Sequence, residues 1–242
     1  MRALVISDIH ANVIALRAVL EAAGKVDAVW CLGDLVGYGP DPNECVDIIK
    51  NLPNLICLLG NHDAAVLGQI RLDAFNREAR ESIEWMQAKV SPENQQFLKM
   101  LPEKHVIGPV TLVHGSPRNP VWEYILDVHT AADNFPFFGT KICLVGHTHL
   151  PVVYIHSTDK GTVNWALLPI GEKYMITDRV ILNPGSVGQP RDHDARAAFA
   201  IIDTNRMTWM PQRVAYDIIE VQNRIKSSGL PTRHATRLGD GM

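Results

Sequence analysis

Five apolar runs in this chain end abruptly in residues that bind metals: Ser7-Asp8-Ile9-His10, Gly33-Asp34, Gly60-Asn61-His62-Asp63, Val113-His114-Gly115 and Gly146-His147-Thr148-His149. Imidazoles and carboxylates at the tips of five strands can converge on one point. Together they offer about the number of ligands that two divalent cations need, which points to hydrolytic chemistry at a dinuclear site. A carboxylate has two oxygens, so Asp34 can hold two cations roughly 3.5–4 Å apart. Asn61 adds a neutral carbonyl oxygen that limits the negative charge around the pair, and His114, His147 and His149 add imidazole nitrogens. Hard oxygens mixed with nitrogens, without thiolate, suit manganese, iron, zinc or cobalt better than calcium or magnesium.

His62 is left over once Asn61 is counted as a ligand, and an imidazole that titrates near neutrality suits protonation of a leaving alkoxide. A hydroxide bridging the cations would be the nucleophile toward phosphorus. Asp63 could orient His62 or cap the helix that follows. The five other histidines, His105, His129, His156, His193 and His234, read as ordinary core or surface residues. Trp122 and Tyr124 could stack on a nucleobase, although packing beneath a loop is the commoner use of such rings.

These groups need strands to aim them. The first half alternates strand and helix, with strands at 3–6, 28–32 and 55–59 and helices at 13–23 and 42–51, which points to βαβ units. Asn12 can cap the first helix; Asp41, with Pro42 behind it and Glu44 three residues on, opens the second. Apolar positions Leu72, Phe75, Ala79, Ile83, Met86 and Val90 recur every three or four residues, predicting one helix over 70–90 and a shorter one after Ser91-Pro92. The helical stretch at about 64–105 carries no candidate ligand and reads as a cap or flanking layer of a single domain spanning 1–242.

The second half is rich in short strands, at 110–113, 141–145, 152–156, 162–166, 174–176, 180–182, 197–203 and 207–214, joined by Gly, Asp and Pro turns that predict mostly antiparallel pairing. Two sheets packed face to face with helices outside follow from this layout. A last helix is expected at 216–227, with a loose polar tail from Ser228.

Lys and Arg number 23 against 26 Asp and Glu, so the formal charge of −3 argues against a general polyanion binder and makes a nuclease the weaker reading. Four apolar residues before Asp8 are too few for a signal-peptide core, and no stretch reaches membrane-spanning length, so a cytoplasmic location is expected. Cys31, Cys45, Cys57 and Cys143 lack metal-type spacing and read as buried free thiols.

The ordered blocks D-I-H, G-D, G-N-H-D, H-G and G-H-T-H, spread between Ser7 and Arg191, resemble the calcineurin-like metallophosphoesterase superfamily, and its compact bacterial phosphodiesterase-like branch in particular. The resemblance implies an α/β fold, a four-layer αββα sandwich of two mixed sheets flanked by helices. It implies one cation held by Asp8, His10, Asp34 and His149, a second by Asp34, Asn61, His114 and His147, and His62 as general acid. Manganese is the favoured metal. The loop Asn183-Pro184-Gly185-Ser186-Val187-Gly188-Gln189-Pro190-Arg191 is similar to one in the same branch, where glycines let backbone N–H groups approach an anion and Arg191 could pair with a phosphate. Arg118 is a second candidate for that role.

One block departs from the pattern. The protein serine/threonine phosphatases of the superfamily continue as G-D-x-x-D-R-G, whereas this chain has Gly37 and Tyr38 at the last aspartate and arginine. The expected activity is therefore a phosphodiesterase on a small-molecule or nucleotide phosphoester. A phosphomonoesterase with the same site is the alternative, and a non-catalytic scaffold on this fold is a further one.

Overall fold

The computed structural model describes residues 1–157 and 161–242. The chain runs β1 (Arg2–Ile6), α1 (Val13–Ala23), β2 (Ala28–Cys31), α2 (Pro42–Lys50), β3 (Leu55–Cys57), α3 (Asn61–Val66), α4 (Arg77–Lys89) and α5 (Pro92–Lys99). There follow β4 (Lys104–Ile107), β5 (Val110–Val113), α6 (Val128–Asn134), β6 (Ile142–Leu144), β7 (Val152–Ser157), β8 (Thr162–Ala166) and β9 (Tyr174–Met175). The last elements are β10 (Arg179–Asn183), β11 (Ala197–Asp203), β12 (Thr208–Val214), α7 (Ile218–Ser227) and α8 (Thr232–Asp240).

Two six-stranded mixed sheets form, ordered β3-β2-β1-β11-β12-β9 and β4-β5-β6-β10-β7-β8. The halves of the sequence do not map onto separate sheets: β11 pairs antiparallel with β1, so late strands complete the sheet that the βαβ units begin. Strand alternation builds the layers. Ala3 and Val5 of β1 meet Trp30, Leu112, Leu144, Leu182 and Trp209 in a core between the sheets, while Leu4 and Ile6 face outward against α1 residues Leu16 and Val19. On the far side, Cys143, Tyr154 and Ile181 pack with Ala131 of α6 and with Phe135 and Phe138. The result is the expected α/β sandwich of four layers.

Parallel pairing of β1 with β2 and of β2 with β3 places their carboxyl ends on one edge; β5, β6 and β10 are likewise parallel in the second sheet. Asn12 caps α1 through the Ala15 N–H at 3.0 Å, as its position predicts. Asp41 does not cap α2, since its carboxylate is drawn to Arg224 at 2.8 Å. The helix expected from residue 70 starts at Arg77, because Asn76 accepts from the Ala79 N–H and so fixes the first turn there. Leu72–Ala74 forms a separate 3-10 turn. The polar tail is not loose: α8 buries Ala235 and Leu238 against Val221, Ile225 and Leu230. All four cysteines are free and buried, and among the described residues no helix is long and apolar enough to cross a membrane.

Candidate dinuclear metal centre

Each block from the sequence lies just past a strand: Asp8 and His10 after β1, Asp34 after β2, Asn61 and His62 after β3, His114 after β5, His147 and His149 after β6. All seven expected ligands are at most 2% exposed. Five of them have positive φ: Asp8 at 56°, His10 at 48°, Asp34 at 55°, His147 at 64° and His149 at 63°. A left-handed conformation costs a side-chain-bearing residue about 1 kcal/mol or more, so this clustering marks a place where backbone preference yields to function. The turns are pinned by Asp8 N–H to Gly33 O at 3.0 Å and His10 N–H to Asp34 O at 3.0 Å. Gly60 has to be glycine, since a Cβ there would collide with the backbone and carboxylate of Asp34.

The side chains form two groups that share Asp34. In the first, His149 Nε2 lies 3.3 Å from Asp8 Oδ1 and 3.1 Å from His10 Nε2, which in turn lies 3.7 Å from Asp34 Oδ2. In the second, His114 Nε2 lies 3.4 Å from Asp34 Oδ2 and 3.0 Å from Asn61 Oδ1, and His147 also lies within reach of Asp34 and His114. Each ring is oriented by a carbonyl. His10 Nδ1 donates to Val36 O at 3.1 Å, His114 Nδ1 to Leu32 O at 2.9 Å, His149 Nδ1 to Gln189 O at 2.5 Å and His147 Nε2 to Trp122 O at 3.0 Å. A carbonyl only accepts, so whenever such a ring is neutral its opposite nitrogen carries a lone pair toward the cluster.

The carboxylates are divided in the same way. Asp8 Oδ2 accepts from the His147 N–H at 3.1 Å and Asp34 Oδ1 from the His62 N–H at 2.8 Å, whereas Asp8 Oδ1 and Asp34 Oδ2 are buried without a partner. Inward-facing acceptors that no hydrogen bond satisfies, ringed by imidazole nitrogens 3.3–3.7 Å away, fit cations. Burial would push Asp8 and Asp34 up, but His149 and His114 at Asp8, and His114 and His62 at Asp34, bring both well below the usual carboxylate range. Burial lowers His10, His147 and His149, the second to about 3. At His114 burial is the largest single influence, but Asp34, Asp8 and Asp63 together overcome it, and the pKa is pushed up to about 9.

His62 stands beside both groups. Its ring is 5.0 Å from His10, 4.5 Å from Tyr38 and 5.2 Å from Phe75, and its Nδ1 is buried without a partner. Burial lowers its pKa to about 4 against the pull of Asp34, below the near-neutral value expected from the sequence. Asp63 does not orient that ring; it accepts from Gly60 N–H and Val36 N–H, each at 3.1 Å, and so braces the turns of Asp34 and Asn61. Burial and Asp34 raise it to about 7.

The glycine-bearing loop does not offer its N–H groups to an anion. Val187 N–H and Gly188 N–H go to Ser7 O and Asp8 O, and the Ser186 hydroxyl donates to Asp8 O, so the loop buttresses the Asp8 turn. Arg191 reaches the cluster's edge, with its guanidinium 5.9 Å from the Tyr38 ring, Nη2 on Gln189 Oε1 at 3.0 Å and Nε without a partner. Arg118 is instead committed to Glu123 and Asp133 and lies over Phe137. Tyr124 stacks on His147 at 3.7 Å, and Trp122 packs edge-on to Phe75. The sequence marks Tyr38 only as the replacement for an arginine and His234 only as an ordinary histidine, yet their rings meet at 4.8 Å, with Tyr38 4.6 Å from His10; a positive φ of 57° inside the Gly-rich block is what sets Tyr38 there.

A family model for the calcineurin-like phosphoesterase superfamily domain matches residues 1–207. An uncharacterized protein of Methanocaldococcus jannaschii is 39% identical over 97% of this chain and 96% of its own length. The solved metallophosphoesterase of Sphaerobacter thermophilus is 44% identical with a TM-score of 0.92, covering 100% of this chain and 99% of its own. A symmetrical bis(5'-nucleosyl)-tetraphosphatase of Salmonella typhimurium is 28% identical over 57% of this chain, which spans 54% of that enzyme.

Proposed function

Because the chain belongs to the calcineurin-like phosphoesterase superfamily and is a metal-dependent hydrolase of phosphoesters, we propose that it is a phosphodiesterase acting on a soluble small-molecule or nucleotide phosphoester in the cytoplasm. The observation that carries this reading is the buried, unpartnered Asp34 Oδ2, shared between two groups of inward-facing ligands. Asp8, His10, Asp34 and His149 would hold one cation and Asp34, Asn61, His114 and His147 the other, with manganese favoured over iron, zinc and cobalt. When bound, such a pair supplies Lewis acidity, activating water and neutralising charge that builds on the phosphoryl oxygens.

His62 would protonate the departing alkoxide, a role supported by its ring standing beside both ligand groups and by a backbone held to Asp34. Burial holds its pKa at about 4, and the negative charge of the bound ester and its leaving group has to offset that burial for the ring to carry the proton. Arg191 pairs with a phosphoryl oxygen through its unpartnered Nε edge. Residues 64–105 act as a wall of the site within one domain, since Phe75 lies against His62.

The preference for a diester rests on charge. A monoester brings a second negative charge, and with Tyr38 at the position of the phosphatase arginine the site has one cationic side chain fewer to meet it. Turnover of a diester and a monoester with the same alkyl leaving group, on manganese-loaded protein, tests this: kcat/KM for the diester is expected to exceed the other by at least about 10-fold. The reverse order would favour the phosphomonoesterase. A symmetrical dinucleoside tetraphosphate belongs in the same panel because of the tetraphosphatase similarity.

A further inference from the structure

A cavity of about 640 Å³ is lined by residues next in the chain to those of the metal centre, and nothing in the chemistry above uses it. Three chain segments run from one into the other in a single step. Tyr124, stacked on His147, is followed by Ile125 in the cavity wall; the ligand His149 is followed by Leu150; Arg191 is followed by Asp192. Consecutive Cα atoms are about 3.8 Å apart, so the two linings share three backbone segments on the edge where the strands end.

The wall is mostly apolar, with Tyr154, Leu168 and the half-exposed Trp165 among its surfaces. Its charged members are already engaged. Arg213, whose side chain is 2% exposed, is paired with Asp192; Asp194 holds Arg196 at 2.6 Å; Asp127 caps α6 through the N–H groups of His129 and Thr130, each at 2.8 Å. Among the described residues the lining therefore offers no free cation for a second phosphate. It does offer one free acceptor: Asp192 Oδ1 is buried and lacks a partner. A planar, uncharged ring that carries an N–H donor satisfies all three conditions, since it buries on the apolar wall, stacks on Trp165 and donates to Asp192.

Resting on the phosphodiester reading, we propose that this cavity is the subsite for the nucleoside part of a nucleoside phosphodiester, with the reacting phosphate held at the metal centre and the base on Trp165. The substrate class is then a single phosphoester bearing a nucleoside, and a polyphosphate chain has no cationic groups here to follow.

The test compares the nitrophenyl ester of thymidine 5'-phosphate with methyl nitrophenyl phosphate, on manganese-loaded wild type, Trp165→Ala and Leu126→Glu. Both substituted side chains are largely exposed, so the fold should tolerate the changes. Each variant is expected to lose about 10-fold or more in kcat/KM on the thymidine ester while staying within about 2-fold on the methyl ester, the size of effect that loss of base stacking produces. Equal losses on both esters, or no loss on either, would overturn the subsite. If wild type hydrolyses neither ester, it is the phosphodiesterase reading that fails; equilibrium dialysis of thymidine then decides the cavity separately, binding to wild type but not to Trp165→Ala supporting it and no binding to wild type overturning it. Sedimentation of wild type as a dimer that Trp165→Ala dissociates would assign the patch to a subunit interface and also overturn the proposal.

Discussion

At the scale of single residues the site works by division of labour within each side chain. One oxygen of Asp34 is tied to the His62 N–H and the other is left bare; one nitrogen of each ligand imidazole is tied to a carbonyl and the other faces inward. It follows that Asp34→Asn, which keeps the shape but removes the charge and puts an amide where a bridging oxygen is needed, should release metal from both groups. Elemental analysis should find well under two metals per chain. His62→Ala should keep both metals and lose about 10²–10⁴-fold in kcat on an ester with an alkyl leaving group. On a nitrophenyl ester, whose leaving group scarcely needs a proton, the loss should be much smaller. A wild-type rate for His62→Ala on the alkyl ester would remove the general acid from the mechanism. The ligand types were legible in the sequence because metals demand particular donor atoms. The tie of Asp63 to the Gly60 and Val36 N–H groups, and of the 183–191 loop to Asp8, was not, because those roles depend on which N–H groups the fold leaves open.

At the scale of elements, what could be read was whatever a buried face imposes. Strands β1, β2, β5, β6 and β11 are buried along almost their whole length and announce themselves as apolar runs. The edge strand β4, with its alternately exposed Lys104-His105-Val106-Ile107, carries no such signal, and neither does the short α6. The helix α8 is the instructive miss. Its sequence is polar except for a thin inward stripe, yet Leu238 is 4% exposed within the cluster of Val221, Ile225 and Leu230. Leu238→Ala should cost about 2–3 kcal/mol of stability in urea unfolding, whereas a loose tail would cost nothing. The segment ahead of α6 gives a prediction in pH. Glu123 is lowered to about 2, chiefly by its bond to Arg118, against burial and with help from Ser116 and Asn134. A depressed carboxyl contributes stability above its unfolded pKa and loses it as pH falls through the folded one. Glu123→Gln should therefore unfold at lower urea than wild type at pH 7, and the gap between them should narrow from about pH 5 downward. A gap that stayed constant with pH would mean that the ion pair contributes nothing and that packing carries the effect.

At the scale of the whole molecule, the sandwich and the metal centre are one energetic problem. Two sheets are clasped at the edge where their parallel strands end, and at that edge the protein buries two ionised carboxylates whose inner oxygens have no donor. Buried charge without a partner is costly, and the left-handed turns add strain to the same loops. Cations bound there join β1, β2 and β3 of one sheet to β5 and β6 of the other, so they should act as a clamp between layers as well as a catalyst. Ligand that binds only the folded state stabilises it by about 2.7 kcal/mol at a hundredfold excess over its Kd, and in a chain of this size about 1 kcal/mol moves the melting temperature by roughly 2–4 °C. Stripping the metals with a chelator should thus lower the melting temperature by about 5–10 °C, and manganese added back should restore it. In Asp34→Asn the response to manganese should be largely lost, because the atom shared by both groups is gone. A melting temperature indifferent to chelator in wild type would show that the two sheets are held together without the centre, and that the strained turns are stabilised entirely by their own hydrogen bonds.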